Sequence, residues 1–471
     1  MMTLLLILYI YFVSFVDKPE KSAPQLSDRA IEQREKWGIE TDEMDYSVSP
    51  LYLDSLRTLG ATIHHYSRWF NGATCEMTSA LSAEVKELGF VTDVECTRDN
   101  STPIVWSPTW RVQQRENDGK PIASDETTDQ LNLYNLLTLH RKGFKGQGIL
   151  MAICDGGFHN AQSLNCFRHD QELGHFDFTD DTDGFYGSTG DHGTECLSTI
   201  SGLKEGFTGA ATEAQYYLMR SEEMETESPK EMDNLVVALE TADSLGVNVF
   251  SVSLGYYKFD NSSWDLPKSA LDGKSTRASR AATIAARKGM LVCVAAGNEG
   301  NSNWHTIDAP SDADSILTVG AVDTEGQIGS FSSYGPSADG RIKPDVCAVG
   351  VQTTLINPYG TIIQGNGTSF ATPLIAGFAA TLWSALPDEN AMQIRDRIIR
   401  SADRYDTPDP HRYGYGIPNA WKAYTMDIST ETEDVQNTER EANQVKKVIR
   451  GEQILIVRHG HIYNLAGQRV E

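Results

Sequence analysis

Apolar and polar positions change their rhythm several times along this chain. Residues 3–16 (TLLLILYIYFVSFV) are almost uninterruptedly apolar and are followed at once by Asp17, Lys18 and Glu20. A helix that spans a bilayer needs about 20 such residues, so the run suits the core of a signal peptide, and residues 1–20 are read as one. An uncleaved anchor is the alternative, because no lysine or arginine precedes the run and no A-x-A site follows it. Between 45 and 95, helix-like spacing at Leu53, Leu56 and Leu59 alternates with strand-like stretches and an apolar end at Phe90–Val94. This predicts a small α+β domain over 21–97. Residues 98–129 are polar, proline-punctuated and unpatterned, which is the texture of an exposed, cleavable connector.

From about residue 130 short apolar runs alternate with helical stretches and glycine-rich turns. The runs at 149–157, 214–223, 247–255, 290–300 and 315–322 are apolar on both faces, with LVVALETADSLG and SRAATIAARKG at helical spacing between them. Continuous apolar strands separated by helices predict a mostly parallel sheet covered on both sides, here over 130–425. Ligands of such sheets bind beyond the carboxyl ends of the strands. A polar linker follows at 426–448. The last segment, 449–471, carries alternating apolar positions at Ile454, Ile456, Ile462 and Tyr463, which predict a small β-hairpin.

Charge narrows the partners. The 471 residues hold 40 lysines and arginines against 65 aspartates and glutamates, a formal net charge of −25. No basic segment offsets this, which excludes nucleic acid and anionic membrane surfaces as main partners. The 7 cysteines are odd in number and none forms a C-x-x-C pair, so neither a zinc ribbon nor a thioredoxin-type site is proposed. A Cys75–Cys96 bridge and buried free thiols are the two readings.

Candidate chemistry stands at the ends of the apolar runs. Asp155 closes ILMAICD and precedes two glycines. His192 sits in Asp-His-Gly-Thr, and Ser369 in Gly-Asn-Gly-Thr-Ser-Phe-Ala-Thr-Pro. A serine hydroxyl needs a neighbouring imidazole to take its proton, and a buried carboxylate then fixes the imidazole tautomer and stabilises its cation. Asp155, His192 and Ser369 fit these roles if the fold brings them together. Pro373 is tolerated only near a helix start, so Ser369 is expected at a helix N-terminus, where free N–H groups favour an oxyanion. Asn298, in Ala-Ala-Gly-Asn-Glu-Gly, offers a side-chain amide as second oxyanion donor.

These residues resemble the subtilases, the subtilisin-like serine proteases, in type and in order: the strand-end aspartate, His-Gly-Thr, Ala-Ala-Gly-Asn and Gly-Thr-Ser-Phe-Ala-Thr-Pro. The resemblance covers about 130–425 and implies an α/β fold, a subtilisin-like mostly parallel sheet flanked by helices on both faces. It further implies that Ser253, Leu254 and Gly255 form an edge strand pairing with substrate backbone, and that Ala296 and Gly297 line the primary specificity pocket. Residues 45–95, with the fragment Ser67-Arg68-Trp69-Phe70-Asn71, are similar to subtilase propeptides, which assist folding and inhibit until removed. The expected partners are therefore protein or peptide substrates and the chain's own propeptide. A permanently retained accessory domain is the other reading of that region. The end of the chain, with its Y-N-x-x-G-Q pattern from Tyr463 to Gln468, resembles the sorting tails of Gram-negative proteins that use type IX secretion. That implies the export machinery as a partner and a secreted or cell-surface location after periplasmic transit. A plain stabilising β-tail is the alternative.

Other sites fit poorly. Ala371 stands where a G-x-S-x-G elbow needs glycine, and Lys268 where a P-loop ending at Gly273-Lys274-Ser275 needs one; no H-E-x-x-H occurs. The chemistry requires no cofactor. Asp180-Asp181-Thr182-Asp183 and Ser221-Glu222-Glu223 are candidates for structural calcium. The aromatic, aspartate-rich insertion 256–276 is expected to reshape one wall of the substrate cleft. The expected activity is exported serine endopeptidase, against a non-catalytic binding or surface protein on the same scaffold.

Overall fold

The later half of the leading apolar run is a strand. The computed structural model describes residues 8–20, 23–99, 127–180, 184–187, 190–224 and 226–427, together with 446–450, 453–458 and 461–463. Within it Tyr9–Phe15 forms β1, paired antiparallel on one side with β3 (Gly72–Met77) and on the other with β4 (Val91–Asp99), while β2 (Thr62–Ser67) pairs with the free edge of β3. Helices α1 (Asp28–Trp37), α2 (Pro50–Leu59) and α3 (Ser79–Lys86) complete this N-terminal part. Tyr11, Val13 and Phe15 pack with Leu53, Leu56 and Val85. Ile10 and Phe12 on the opposite face are also buried, and the Arg277 guanidinium lies 4.5 Å over the Phe12 ring. A strand buried on both faces is apolar at every position, which is the pattern of a signal core as well. The expected signal peptide at 1–20 is therefore corrected: a removed leader cannot be an inner strand. Deleting residues 1–16 is expected to abolish folding of this sheet, read as loss of soluble protein and of refolding from denaturant; a true leader would be dispensable.

Cys75 and Cys96 both lie opposite Tyr11, on the two strands that flank β1. Two strand spacings, about 9.5 Å, exceed what a disulfide spans. The bridge is thus excluded. All seven cysteines are free and all but Cys96 are buried.

After α4 (Thr127–Asn132) and α5 (Leu136–Arg141), the chain builds a seven-stranded sheet. Its strands are β5 (Leu150–Asp155), β6 (Glu172–Asp177), β9 (Gln215–Arg220), β10 (Val249–Val252), β11 (Leu291–Ala295), β12 (Leu317–Val322) and β13 (Val346–Val349). They run parallel in the order β13-β12-β11-β10-β5-β9-β6. A small hairpin, β7 (Leu203–Lys204) and β8 (Phe207–Thr208), follows α6 (Asp191–Ser201). Successive strand residues go to opposite buried layers. Met151, Ile153, Leu291 and Cys293 join one core with α6, α9 (Thr368–Ala385) and α10 (Ala391–Ser401). Leu150, Ala152, Val292 and Val294 join another with α7 (Lys230–Leu245) and α8 (Arg277–Arg287). Strands β14 (Thr353–Ile356) and β15 (Ile362–Gly365) form a separate antiparallel pair leading into α9, and α11 (Ala420–Thr425) closes the part.

The N-terminal sheet lies on α7 and α8 through buried charges. Glu240 of α7 accepts from Ser67 Oγ at 2.5 Å and from the N–H groups of Arg68 and Trp69 at 2.9 and 3.1 Å. Trp69 itself enters the α7/α8 core. Asp243 accepts from Arg34 at 2.8 Å and from Arg68 at 2.5 Å, and Asp45 accepts from Lys288 at 2.8 Å. Arg98, at the end of β4, meets Glu223 at 2.8 Å. The connector beyond it, residues 100–126, lies outside the described residues.

Residues 425–471 form a unit of their own, in which β16 (Lys446–Arg450), β17 (Gln453–Arg458) and β18 (His461–Tyr463) make a three-stranded antiparallel sheet. This extends the expected hairpin by one strand. The Y-N-x-x-G-Q pattern beyond Tyr463 lies outside the described residues. Among the described residues no helix is long and apolar enough to cross a membrane.

Candidate active site

Three parallel neighbours, β5, β10 and β11, end on the same side of the sheet and set the site. Asp155 is the last residue of β5 and is fully buried. His192 occupies the first turn of α6, and its Nδ1 donates to Asp155 Oδ1 at 2.7 Å, where the Gly156 N–H also donates at 2.8 Å. Glycine at 193 is required: a Cβ there would stand 2.1 Å from Gly157 O and 3.0 Å from the Asp155 side chain. Burial by itself would lower the imidazole pKa, but the Asp155 carboxylate outweighs it and holds His192 well above its ordinary value. Cys196, one helical turn on, places its Sγ 3.9 Å from both ring nitrogens. Burial pushes that thiol up to about 11, so it is neutral at pH 7.

Ser369 is the second residue of α9, as the position of Pro373 predicted. Proline has no N–H, so the Ser369 carbonyl lacks its helical partner. Ser253 Oγ donates to that carbonyl at 2.8 Å and Cys196 Sγ at 3.3 Å, pinning the serine backbone from two other elements. The Ser369 hydroxyl donates to Ser253 O at 3.3 Å. The ring of Phe370, its neighbour, lies 5.7 Å from that of His192. In the first turn the helix offers the Ser369 N–H no carbonyl, which leaves it for an anion.

Asn298 lies just beyond β11. Its Oδ1 accepts from the Thr368 N–H at 2.9 Å and from Thr368 Oγ1 at 3.1 Å, so the carbonyl end is anchored to the start of α9 and the Nδ2 end is left as donor. Replacing Asn298 by alanine is expected to cost ~10²–10³ in kcat with KM little changed, the scale of one such donor in an acyl-transfer enzyme. Steady-state kinetics on a peptide substrate reads it.

Ser253, Leu254 and Gly255 follow β10, which is an interior strand between β5 and β11, not an edge. The expected edge strand is corrected to an extended segment past the sheet, since the next residue, Tyr256, already pairs with Ala309 at 2.7 and 3.1 Å. A narrow slot joins Ser253, Leu254, Gly255, Gly297 and Asn298 to Ser369, while Ala296 is buried behind it with Leu271, Ile307 and Ala309. Leu271 and Leu266 belong to the insertion 256–276, and Tyr257 stacks on Trp304 at 4.5 Å, so the insertion backs this slot. Glu299 and Asp308, which also line it, carry no motif that sequence reading could have used beyond the adjacency of Glu299 to Asn298.

The acidic stretches suggested for calcium meet around a lysine. The buried Lys230 ammonium pairs with Asp180 at 3.0 Å and with Glu223, while His64 takes the other Asp180 oxygen at 2.8 Å and Arg98 the other Glu223 oxygen. Oxygens committed to cationic side chains do not fit a calcium ion there. Glu222 is turned away to Tyr256 Oη at 2.5 Å, and Asp181–Asp183 lie outside the described residues.

The model of the Subtilase family matches residues 146–416, and that of the Peptidase S8 propeptide domain of Bacteroidota matches residues 10–115. Subtilisin NAT of Bacillus subtilis subsp. natto is 30% identical over 289 residues, covering 60% of this chain and 68% of that protein. Subtilisin of Bacillus pumilus is 30% identical over 289 residues, 60% of this chain and 94% of that protein. Among solved structures, MycP1 from the ESX-1 type VII secretion system shares the fold, with a TM-score of 0.54 at 21% identity, covering 69% of this chain and 94% of that one.

Proposed function

Because the chain belongs to the subtilase family and is a serine-type endopeptidase carrying its own propeptide domain, we propose that Asp155, His192 and Ser369 form its catalytic triad and that Asn298 and the Ser369 N–H form its oxyanion hole. The observation that carries this is the His192 Nδ1 to Asp155 Oδ1 hydrogen bond, at a helix start beside the nucleophile's own helix start. With Nδ1–H held by the carboxylate, Nε2 is the basic nitrogen. In this reading the Ser369 hydroxyl leaves Ser253 O, its partner in this structure, for Nε2. The oxygen attacks the scissile carbonyl as its proton passes to His192, and the oxyanion is met by Asn298 Nδ2 and the Ser369 N–H. His192 then protonates the leaving amine, and water hydrolyses the acyl-enzyme by the same route. No step needs a cofactor.

Ser253–Gly255 and Gly297 are assigned to hold the substrate backbone and side chain beside this centre, and Ala296 to support the pocket wall. The docking of the propeptide on α7 and α8 supports a zymogen matured within residues 98–129. Export through the periplasm to the surface or medium, with the type IX machinery as a partner, is supported by the propeptide-domain match and the tail pattern. The non-catalytic reading has no observation in its favour. Casein digestion by the matured protein, before and after a serine-directed organophosphorus reagent, tests the proposal: hydrolysis abolished by the reagent is expected, and hydrolysis indifferent to it would refute a serine nucleophile.

A further inference from the structure

The slot beside Ser369 ends on a carboxylate that has no cation. Asp308 is 4% exposed, and its Oδ1 accepts from Trp304 Nε1 at 2.9 Å. It stands between the two walls of the slot. A Cβ on Gly297 would lie 2.3 Å from Asp308 Oδ2, and one on Gly255 2.9 Å from Asp308 Cβ, so glycine on both walls is what admits this carboxyl group. Glu299 meets it from the Asn298 side, with its own Oε2 accepting from the Asn298 N–H at 2.6 Å. Burial raises both pKa values, and the neighbouring Glu299 raises that of Asp308 further, whereas the hydrogen bond with Asp308 lowers that of Glu299.

Several other buried carboxylates meet cations, while Glu222, Glu231 and Asp312 are held by hydroxyl and N–H donors. Asp45 and Asp243 meet Lys288 and arginines, Asp233 meets Arg277, and Asp345 meets Lys343 and Arg395. Among the described residues no basic group pairs with Asp308 or Glu299. Lys268 is turned to the Trp304 ring and to His305 Nε2 instead. The slot abuts both Asn298 and Ser369, so the side chain that enters it belongs to the residue whose carbonyl is attacked.

We propose that Asp308, seconded by Glu299, makes this protease select lysine or arginine immediately before the scissile bond. The proposal rests on Ser369 being the nucleophile. When the cationic side chain enters, its charge favours the ionised form of the carboxyl pair, which then sets a carboxylate against it. A phenylalanine or leucine in its place leaves two buried acids without a partner.

The test uses the matured enzyme on peptide substrates that differ only in that residue: lysine, arginine, phenylalanine or leucine. The wild type is expected to show kcat/KM at least ~10-fold higher for lysine and arginine. Asp308→Asn keeps an acceptor for Trp304 and is expected to lower the lysine-to-phenylalanine ratio by about 100-fold, with Glu299→Gln lowering it less. An apolar preference in the wild type, or an unchanged ratio in Asp308→Asn, would overturn the proposal. Should that variant not fold, the cleavage-site profile of the wild type on a mixture of peptides decides alone. Fluorophosphonate labelling of the same samples separates the two readings. Labelled enzyme with apolar preference refutes only the specificity, whereas unlabelled and inactive mature enzyme refutes the protease assignment and this proposal with it.

Discussion

Ser369→Ala is expected to leave the precursor at full length and to lower peptide hydrolysis by about 10⁶-fold, to the residue that binding and the oxyanion donors sustain without a nucleophile. That scale is the one measured for the corresponding serine of a subtilisin. The size of the effect follows from the division of labour at the site: without the Ser369 oxygen, His192 and Asp155 have no nucleophile to activate and no acyl-enzyme forms. The fold should be untouched, because the short hydrogen bond that holds Ser369 goes to its carbonyl, from Ser253 at 2.8 Å, while its hydroxyl makes only a long one at 3.3 Å. Gel analysis of the purified variant reads the uncleaved connector, and its melting temperature should match that of the wild type. A Ser369→Ala chain that still matured in purified form would mean that processing is done by another centre.

Asp155→Asn should be the next largest loss, about 10⁴-fold in kcat, because an amide at this position stabilises the wrong imidazole tautomer. It carries a pH signature as well. The imidazole must be neutral to accept the serine proton, and Asp155 holds its pKa well above the ordinary 6.5. The acid limb of kcat/KM in the wild type is therefore expected above pH 6.5, with activity lost as pH falls through it. Removing the carboxylate charge should move the limb to lower pH, since the cation loses its stabilising partner while its burial remains. A limb that stays in place would show that His192 is not the group being titrated.

Much of the catalytic part was legible because its physics is local. Asp155, Asn298 and Ser369 each sit where an apolar run or a proline-bounded helix start fixes the backbone, and the strands at 149–157, 247–255 and 290–300 are apolar because both faces are covered. What escaped was non-local. Strand β6 alternates between half-buried and exposed positions at the sheet edge and gives no apolar run. Tyr9–Phe15 imitates part of a leader because a doubly buried strand and a signal core obey the same composition rule. Cys75 and Cys96 looked bridgeable until β1 was seen to lie between them. Asp308 was invisible in the sequence: nothing near it in the chain marks it, and only the glycines at 255 and 297 leave the space it fills.

The central claim, that Ser369 is an activated nucleophile, is tested most directly by exposing the matured, propeptide-free protein to a fluorophosphonate probe beside the Ser369→Ala variant. The account predicts covalent labelling of the wild type, mapped to Ser369, and none of the variant. A folded, mature wild type that takes up no probe, or a variant that labels equally, would contradict it.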